Sequence, residues 1–175
     1  MSEVKSLEKI KKFWPKEAPD INNIPKYIEK YKEELIVIKY GGNVLIDRKI
    51  FNNFIEDITI LNKLGLSIIV VHGGGPRIER ELHKENIQTK FINGLRVTDK
   101  KVIKIVERVL IEFNNDIVNA LKKRGLEATP INTKINNIIN IIPDKKELGF
   151  VGVPKNINVD IIQDILVQNK IPIVA

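Results

Sequence analysis

Three short stretches hold the residues whose types and spacing could do chemistry: Lys39-Tyr-Gly-Gly42, His72-Gly-Gly-Gly-Pro76 and Asn93-Gly-Leu-Arg96. Glycines let backbone amides approach a ligand closely, and amides at a strand's carboxyl end facing a helix N-terminus make an anion site. Pro76 suits the first turn of such a helix. A lysine finishing a buried strand must reach solvent or meet an anion that offsets its desolvation. Arg96 offers a planar fork for a carboxylate, worth about 1.5–3 kcal/mol when charge-assisted. Together these point to phosphate and carboxylate chemistry. Each also has a plainer reading: a ligand-free tight turn, a snorkelling lysine, a surface ion pair.

Other chemistries find no support. No G-x-x-x-x-G-K-[ST] string occurs, and a dinucleotide fingerprint starting at Gly73 would need a third glycine where Ile78 stands. The 175 residues contain no cysteine, which removes disulfides, thiolate catalysis and thiolate-bound metals. No metal site is expected. His72 reads as a loop-orienting residue and His83 as a solvated one. No carboxylate pair stands beside the glycines to drive a hydrolase. The formal charge of +7 is spread among glutamates and only 6% of residues are aromatic, so nucleic acid is not an expected partner. Neither a signal sequence nor a membrane span is apparent, and a cytoplasmic protein is the simplest expectation.

The elements that must position these groups follow from hydrophobic pattern. Leu35–Lys39 and Ser67–Val71 are apolar runs without alternation, read as strands buried on both faces of a parallel sheet. Between them Ile50, Phe54, Ile58, Leu61 and Leu64 mark an amphipathic helix that Gly65 ends. This strand-helix-strand unit places both glycine loops at one sheet edge. A hairpin turns at Asn93-Gly94, and Thr98 is read as the N-cap of a long helix. That helix faces inward through Val102, Val106, Val109, Phe113, Ile117 and Leu121, with Asn114, Asn115 and Asp116 mostly outward. Short strands are expected at 128–131, 137–142 and 150–153, then a helix around Ile162 and a strand at 171–175. The chain stops on that apolar strand, so it reads as truncated at the C-terminus. Residues 1–34 form a helical arm broken by Pro15, Pro19 and Pro25. Its Phe13 and Trp14 lack an evident partner within the domain, which suggests an oligomer contact as readily as a fold-back.

The motifs Lys39-Tyr-Gly-Gly-Asn43, His72-Gly-Gly-Gly-Pro76 and Asn93-Gly-Leu-Arg-Val-Thr-Asp99 resemble those of the amino acid kinase superfamily, and within it the acetylglutamate kinase family. Leu148-Gly-Phe-Val-Gly152, Asn158 and Ile171-Pro-Ile-Val-Ala175 extend the match from about Ile24 to the end. The resemblance implies an α/β three-layer sandwich with a mostly parallel central sheet. It implies phosphoryl transfer from ATP, with Mg2+, to the γ-carboxylate of N-acetyl-L-glutamate in arginine biosynthesis. Lys39 would then stabilise the transition state, Gly74 and Gly75 contact the acetylated substrate, Arg96 hold its α-carboxylate, and Gly41 and Gly42 direct amides to the phosphates. Residues 35–175 would be the acceptor-binding domain, most of the ATP site lying in a C-terminal part absent here. The arm resembles the N-terminal helix of hexameric, arginine-inhibited members, implying a homo-oligomer. Two departures stand out: Thr133–Asn137 replaces a usual glycine–aspartate–glycine turn, and Arg77 a common glutamine. The rivals are a kinase for free glutamate, aspartate, carbamate or a nucleotide, and a non-catalytic fragment that binds acceptor or oligomerises.

Overall fold

The structure is a computed structural model that describes residue 11 and residues 14–42 and 47–175. Phe13 and Asn43 therefore lie outside the described residues. A 3-10 turn capped by Asp20 leads into helix α1 (Ile24–Tyr31), then strand β1 (Leu35–Tyr40), α2 (Arg48–Lys63), β2 (Ser67–His72) and α3 (Gly75–Lys84). A small hairpin, β3 (Phe91–Ile92) and β4 (Leu95–Arg96), precedes the long helix α4 (Lys100–Lys123). Then come β5 (Ala128–Ile131), the antiparallel pair β6 (Ile139–Pro143) and β7 (Gly152–Ile157), α5 (Asp160–Val167) and β8 (Ile171–Val174).

The central sheet has the order β1-β2-β8-β5 with every pair parallel. Against one face Ile55 and Ile58 of α2 and Phe113, Ile117, Val118 and Leu121 of α4 pack on Tyr40, Ile68, Val70, Ile171 and Ile173. On the other face Ile69, Ile131 and Val174 meet Ile165 of α5, with Ile161, Ile162 and Leu166 beside it. Helix, sheet and helix thus form the expected three-layer sandwich. Helix α3 packs Ile78 and Leu82 on Val102, Ile105 and Val109 in the first half of α4.

Several local expectations change. Strand β2 is buried on both faces, but β1 is an edge strand of the described sheet with Leu35, Val37 and Lys39 exposed, because the α5 layer reaches β2, β8 and β5 only. In α2 the expected Phe54, Ile58 and Leu61 pack on the core and Ile55 joins them, while Ile50 is exposed. The cap of α4 is Asp99, whose carboxylate accepts from the Lys101 and Val102 amides at 2.7 and 2.9 Å. Thr98 instead bridges to the Leu148–Phe150 turn, its amide donating to Leu148 O at 2.9 Å and its carbonyl accepting from Phe150 N at 2.7 Å. Gly149 is required there, since it has φ +72° and an added Cβ would overlap the Thr98 carbonyl. In the arm, Trp14 Nε1 donates to Pro19 O at 2.8 Å, and α1 buries Ile24 while Tyr27 and Tyr31 stay exposed.

Candidate functional site

Strands β1 and β2 run parallel in a register that sets Lys39 beside Val71 and Tyr40 beside His72. Their glycine loops therefore leave the same sheet edge on adjacent strands, and the Gly73 amide donates to Tyr40 O at 3.0 Å. Lys39 is exposed at the end of β1 and makes no ion pair with any described residue. Gly41 and Gly42 follow it, Gly42 at φ +75°. The first-turn amides of α3 are the second source of donors. Gly74 is its N-cap and supplies no side-chain cap, Pro76 in its first turn has no N–H, and the Gly75 amide at such a helix N-terminus points the way an anion would be received.

The three glycines of the second loop differ in what demands them. A Cβ on buried Gly74 would press on Leu110 Cδ2 at 2.8 Å and Ile78 Cδ1 at 3.2 Å, so the ends of those two side chains must shift in the α3–α4 packing before a side chain fits there. Gly73 and Gly75 have no neighbour within 4 Å of an added Cβ, and neither has a positive φ. The fold itself does not require glycine at those two positions. Open space over bare backbone beside free amides is what a closely approaching ligand needs.

Arg96 comes to the same helix from β4. Its guanidinium reaches Glu79 of α3 at 2.6 Å and donates to Thr89 Oγ1 at 2.8 Å, while lying 4.7 Å over the Phe91 ring. The Asn93-Gly94 turn, with φ +50° and +80°, aims the hairpin so that this contact forms one helical turn beyond Gly75. A carboxylate thus already sits on Arg96, supplied by a side chain that is half exposed.

His72 is buried, its Nδ1 3.0 Å from Gly73 O and its ring edge-on to Phe113 at 5.0 Å. Burial pushes its pKa down, assisted by the nearby Arg77 charge and opposed by the bond to Gly73. Arg77 itself folds back over the Phe113 ring at 3.9 Å and pairs with Asp116 of α4 at 2.8 Å. The expectation that Asn114 faces outward is wrong: it is fully buried and its Nδ2 lies 3.1 Å from His72 Nε2. The signal was available, because Asn114 stands one turn before Val118 and two before Leu121 on the inward stripe. His83 is exposed, as expected.

Lysine and amide donors suit phosphate and carboxylate oxygens, not a cation. Among the described residues no group of three metal-ligating side chains exists, so Mg2+ finds no fitting ligand set here and no step is routed through it.

An α/β sandwich with paired glycine loops at adjacent strand ends is the architecture of one kinase class, and residues 34–175 match the amino acid kinase family. The chain belongs to that family. Among curated relatives, it is 52% identical to the acetylglutamate kinase of Pelagibacter ubique (strain HTCC1062) over 161 residues, covering 92% of this chain and 56% of the relative. It is 40% identical to the acetylglutamate kinase of Petrotoga mobilis over 152 residues, covering 85% and 51%. The chain spans about half the length of these relatives. Among solved structures, smu.665 from Streptococcus mutans UA159 superposes with TM-score 0.66 at 29% identity, covering 81% of this chain and 58% of that one. N-acetylglutamate synthase from Neisseria gonorrhoeae complexed with coenzyme A and N-acetyl-glutamate gives TM-score 0.72 at 17% identity, covering 87% and 36%, a likeness of fold.

Proposed function

We propose that this chain carries the acceptor half of an acetylglutamate kinase, binding N-acetyl-L-glutamate for phosphorylation of its γ-carboxylate by ATP. The observation that carries the reading is Gly73 and Gly75, glycines that the fold does not require, at the N-terminus of α3, whose neighbours are the loop that follows Lys39 on the adjacent strand and Arg96 on Glu79 of the same helix. In this reading the γ-carboxylate oxygen forms a bond to the terminal phosphorus of ATP as the bond to the departing ADP oxygen breaks. No covalent enzyme intermediate is needed. Such transfers depend on positioning and on neutralising charge over the transferring oxygens. Lys39 and the Gly41 and Gly42 amides supply that neutralisation, while Gly74 and Gly75 amides and Arg96 hold the acceptor. The relatives' names and the family membership support the reading, and the exposed Tyr27 and Tyr31 of α1 suit an arm that meets a second copy.

The product would be an acyl phosphate, which hydroxylamine converts to a hydroxamate. Incubation with ATP and N-acetyl-L-glutamate, free glutamate, aspartate or carbamate in turn tests the substrate, with the chain alone and with a relative's remaining half supplied. Hydroxamate formed from the N-acetylated acceptor only is expected. Product from free glutamate alone would overturn the assignment.

A further inference from the structure

Two buried asparagines, Asn114 at 0% exposed and Asn132 at 5%, have no part in the reading above, yet they join the loop after β5 to the glycine loop after β2. Their hydrogen bonds can be assigned without ambiguity because backbone groups fix each link. Asn132 Oδ1 accepts from the Lys134 and Ile135 amides at 3.0 and 3.1 Å, which only an oxygen can do. Its Nδ2 must therefore be the atom that donates to Asn114 Oδ1 at 3.2 Å. Asn114 then presents Nδ2 elsewhere: it donates to the Ile173 carbonyl at 2.8 Å, and its second hydrogen points to His72 Nε2 at 3.1 Å. Facing a donor, Nε2 must accept. The imidazole proton is left on Nδ1, which donates to Gly73 O at 3.0 Å.

We infer that Asn132 and Asn114 are positioning residues that hold His72 as its neutral Nδ1–H tautomer and thereby set the direction of the Gly74 amide. The Gly73 carbonyl and the Gly74 N–H belong to one planar trans peptide, so they point in opposite directions and fixing one fixes the other. The Gly73 amide is held separately by Tyr40 O, which leaves the loop's first two peptide groups fixed from the interior. The relay thus connects residues 132–135 to the backbone that would receive the acceptor. The inference rests on the proposed function for the identity of that acceptor, but its geometry does not.

The test is long-range 1H–15N correlation of the histidine side chains in the 15N-labelled 175-residue chain. Exposed His83 serves as the internal reference. Wild type is expected to show His72 protonated on Nδ1 and bare on Nε2. In Asn114→Asp a carboxylate faces Nε2, so Nε2 gains a proton, the Gly74 amide resonance moves, and affinity for N-acetyl-L-glutamate falls by about tenfold, as for one lost hydrogen bond. Nε2–H in wild type would overturn the relay, and this outcome stands even if the variant does not fold. An unmoved Gly74 amide in a folded variant would overturn it as well. A wild-type chain with the Nδ1–H tautomer that binds no N-acetyl-L-glutamate supports the relay and overturns the substrate reading instead.

Discussion

The amide of Gly73 donates to the carbonyl of Tyr40 at 3.0 Å, and this one bond ties the turn after β2 to the turn after β1. Tyr40 is itself held by a stacked contact with Phe54 at 3.9 Å between ring centroids and by Phe113 at 6.0 Å. The start of each donor-rich loop is therefore tied to the other above an aromatic core. A fixed spacing between donors is what positioning of a transferring group requires.

Gly75→Ala separates binding from folding. The added Cβ meets nothing within 4 Å and sits at a helix start, where alanine gains about 0.5–1 kcal/mol over glycine at most. Thermal unfolding should be unchanged or slightly later, while acceptor binding drops about tenfold or more because the methyl occupies the ligand's approach. Calorimetry and a melting curve on the same sample check both halves. A variant that binds normally would remove Gly75 from the site.

Gly149→Ala should behave in the opposite way. It combines a positive φ with overlap on the Thr98 carbonyl, a backbone atom that cannot rotate aside. A loss of about 2–4 kcal/mol is expected in denaturant unfolding. Gly74→Ala presses only on the mobile ends of Leu110 and Ile78 and should cost less, about 1–3 kcal/mol. Reversal of that order would contradict the packing described.

Acid should destabilise the chain through His72. Its folded pKa lies below the ordinary 6.5, so below that pH the unfolded chain takes up a proton that the folded chain refuses. The stabilisation is complete above about pH 6.5 and is lost as pH falls toward the folded value, at up to about 1.4 kcal/mol per pH unit. Asp99, held below the usual carboxylate range by the Val102 and Lys101 amides, adds a loss in the same direction at lower pH. Urea midpoints between pH 7.5 and 5 check this, and a flat profile would mean that His72 is not buried neutral.

Glu79→Gln should tighten acceptor binding. The Glu79 carboxylate occupies Arg96 at 2.6 Å, so a substrate carboxylate must displace it. The carboxylate is half exposed, and such pairs contribute about 0.2–1 kcal/mol, which corresponds to an affinity gain of up to about fivefold. Weaker binding in the variant would show that Glu79 contacts the ligand rather than competing with it.

Much of this site was legible in the chain because its signals are local. The apolar run ending in Gly73, the Asn93-Gly94 turn and the helix stop at Gly125 each follow from neighbours in sequence. What escaped depends on tertiary partners. Leu35-Ile-Val-Ile has the composition of a strand buried on both faces, and only the reach of the α5 layer leaves half of it exposed. Arg77 finds Phe113 and Asp116 across nearly forty positions of sequence, which no periodicity reports. Asn114 lay on a readable stripe, but its polarity suggested solvent when its partners were His72 and Ile173.

The most direct measurement is calorimetric titration of N-acetyl-L-glutamate into the chain, with free glutamate and Arg96→Ala as controls. Saturable binding of the N-acetylated ligand is expected, weakened by about ten- to a hundredfold in the variant through loss of a charge-assisted pair, with little response to free glutamate. Equal binding to wild type and Arg96→Ala, or preference for free glutamate, would contradict it.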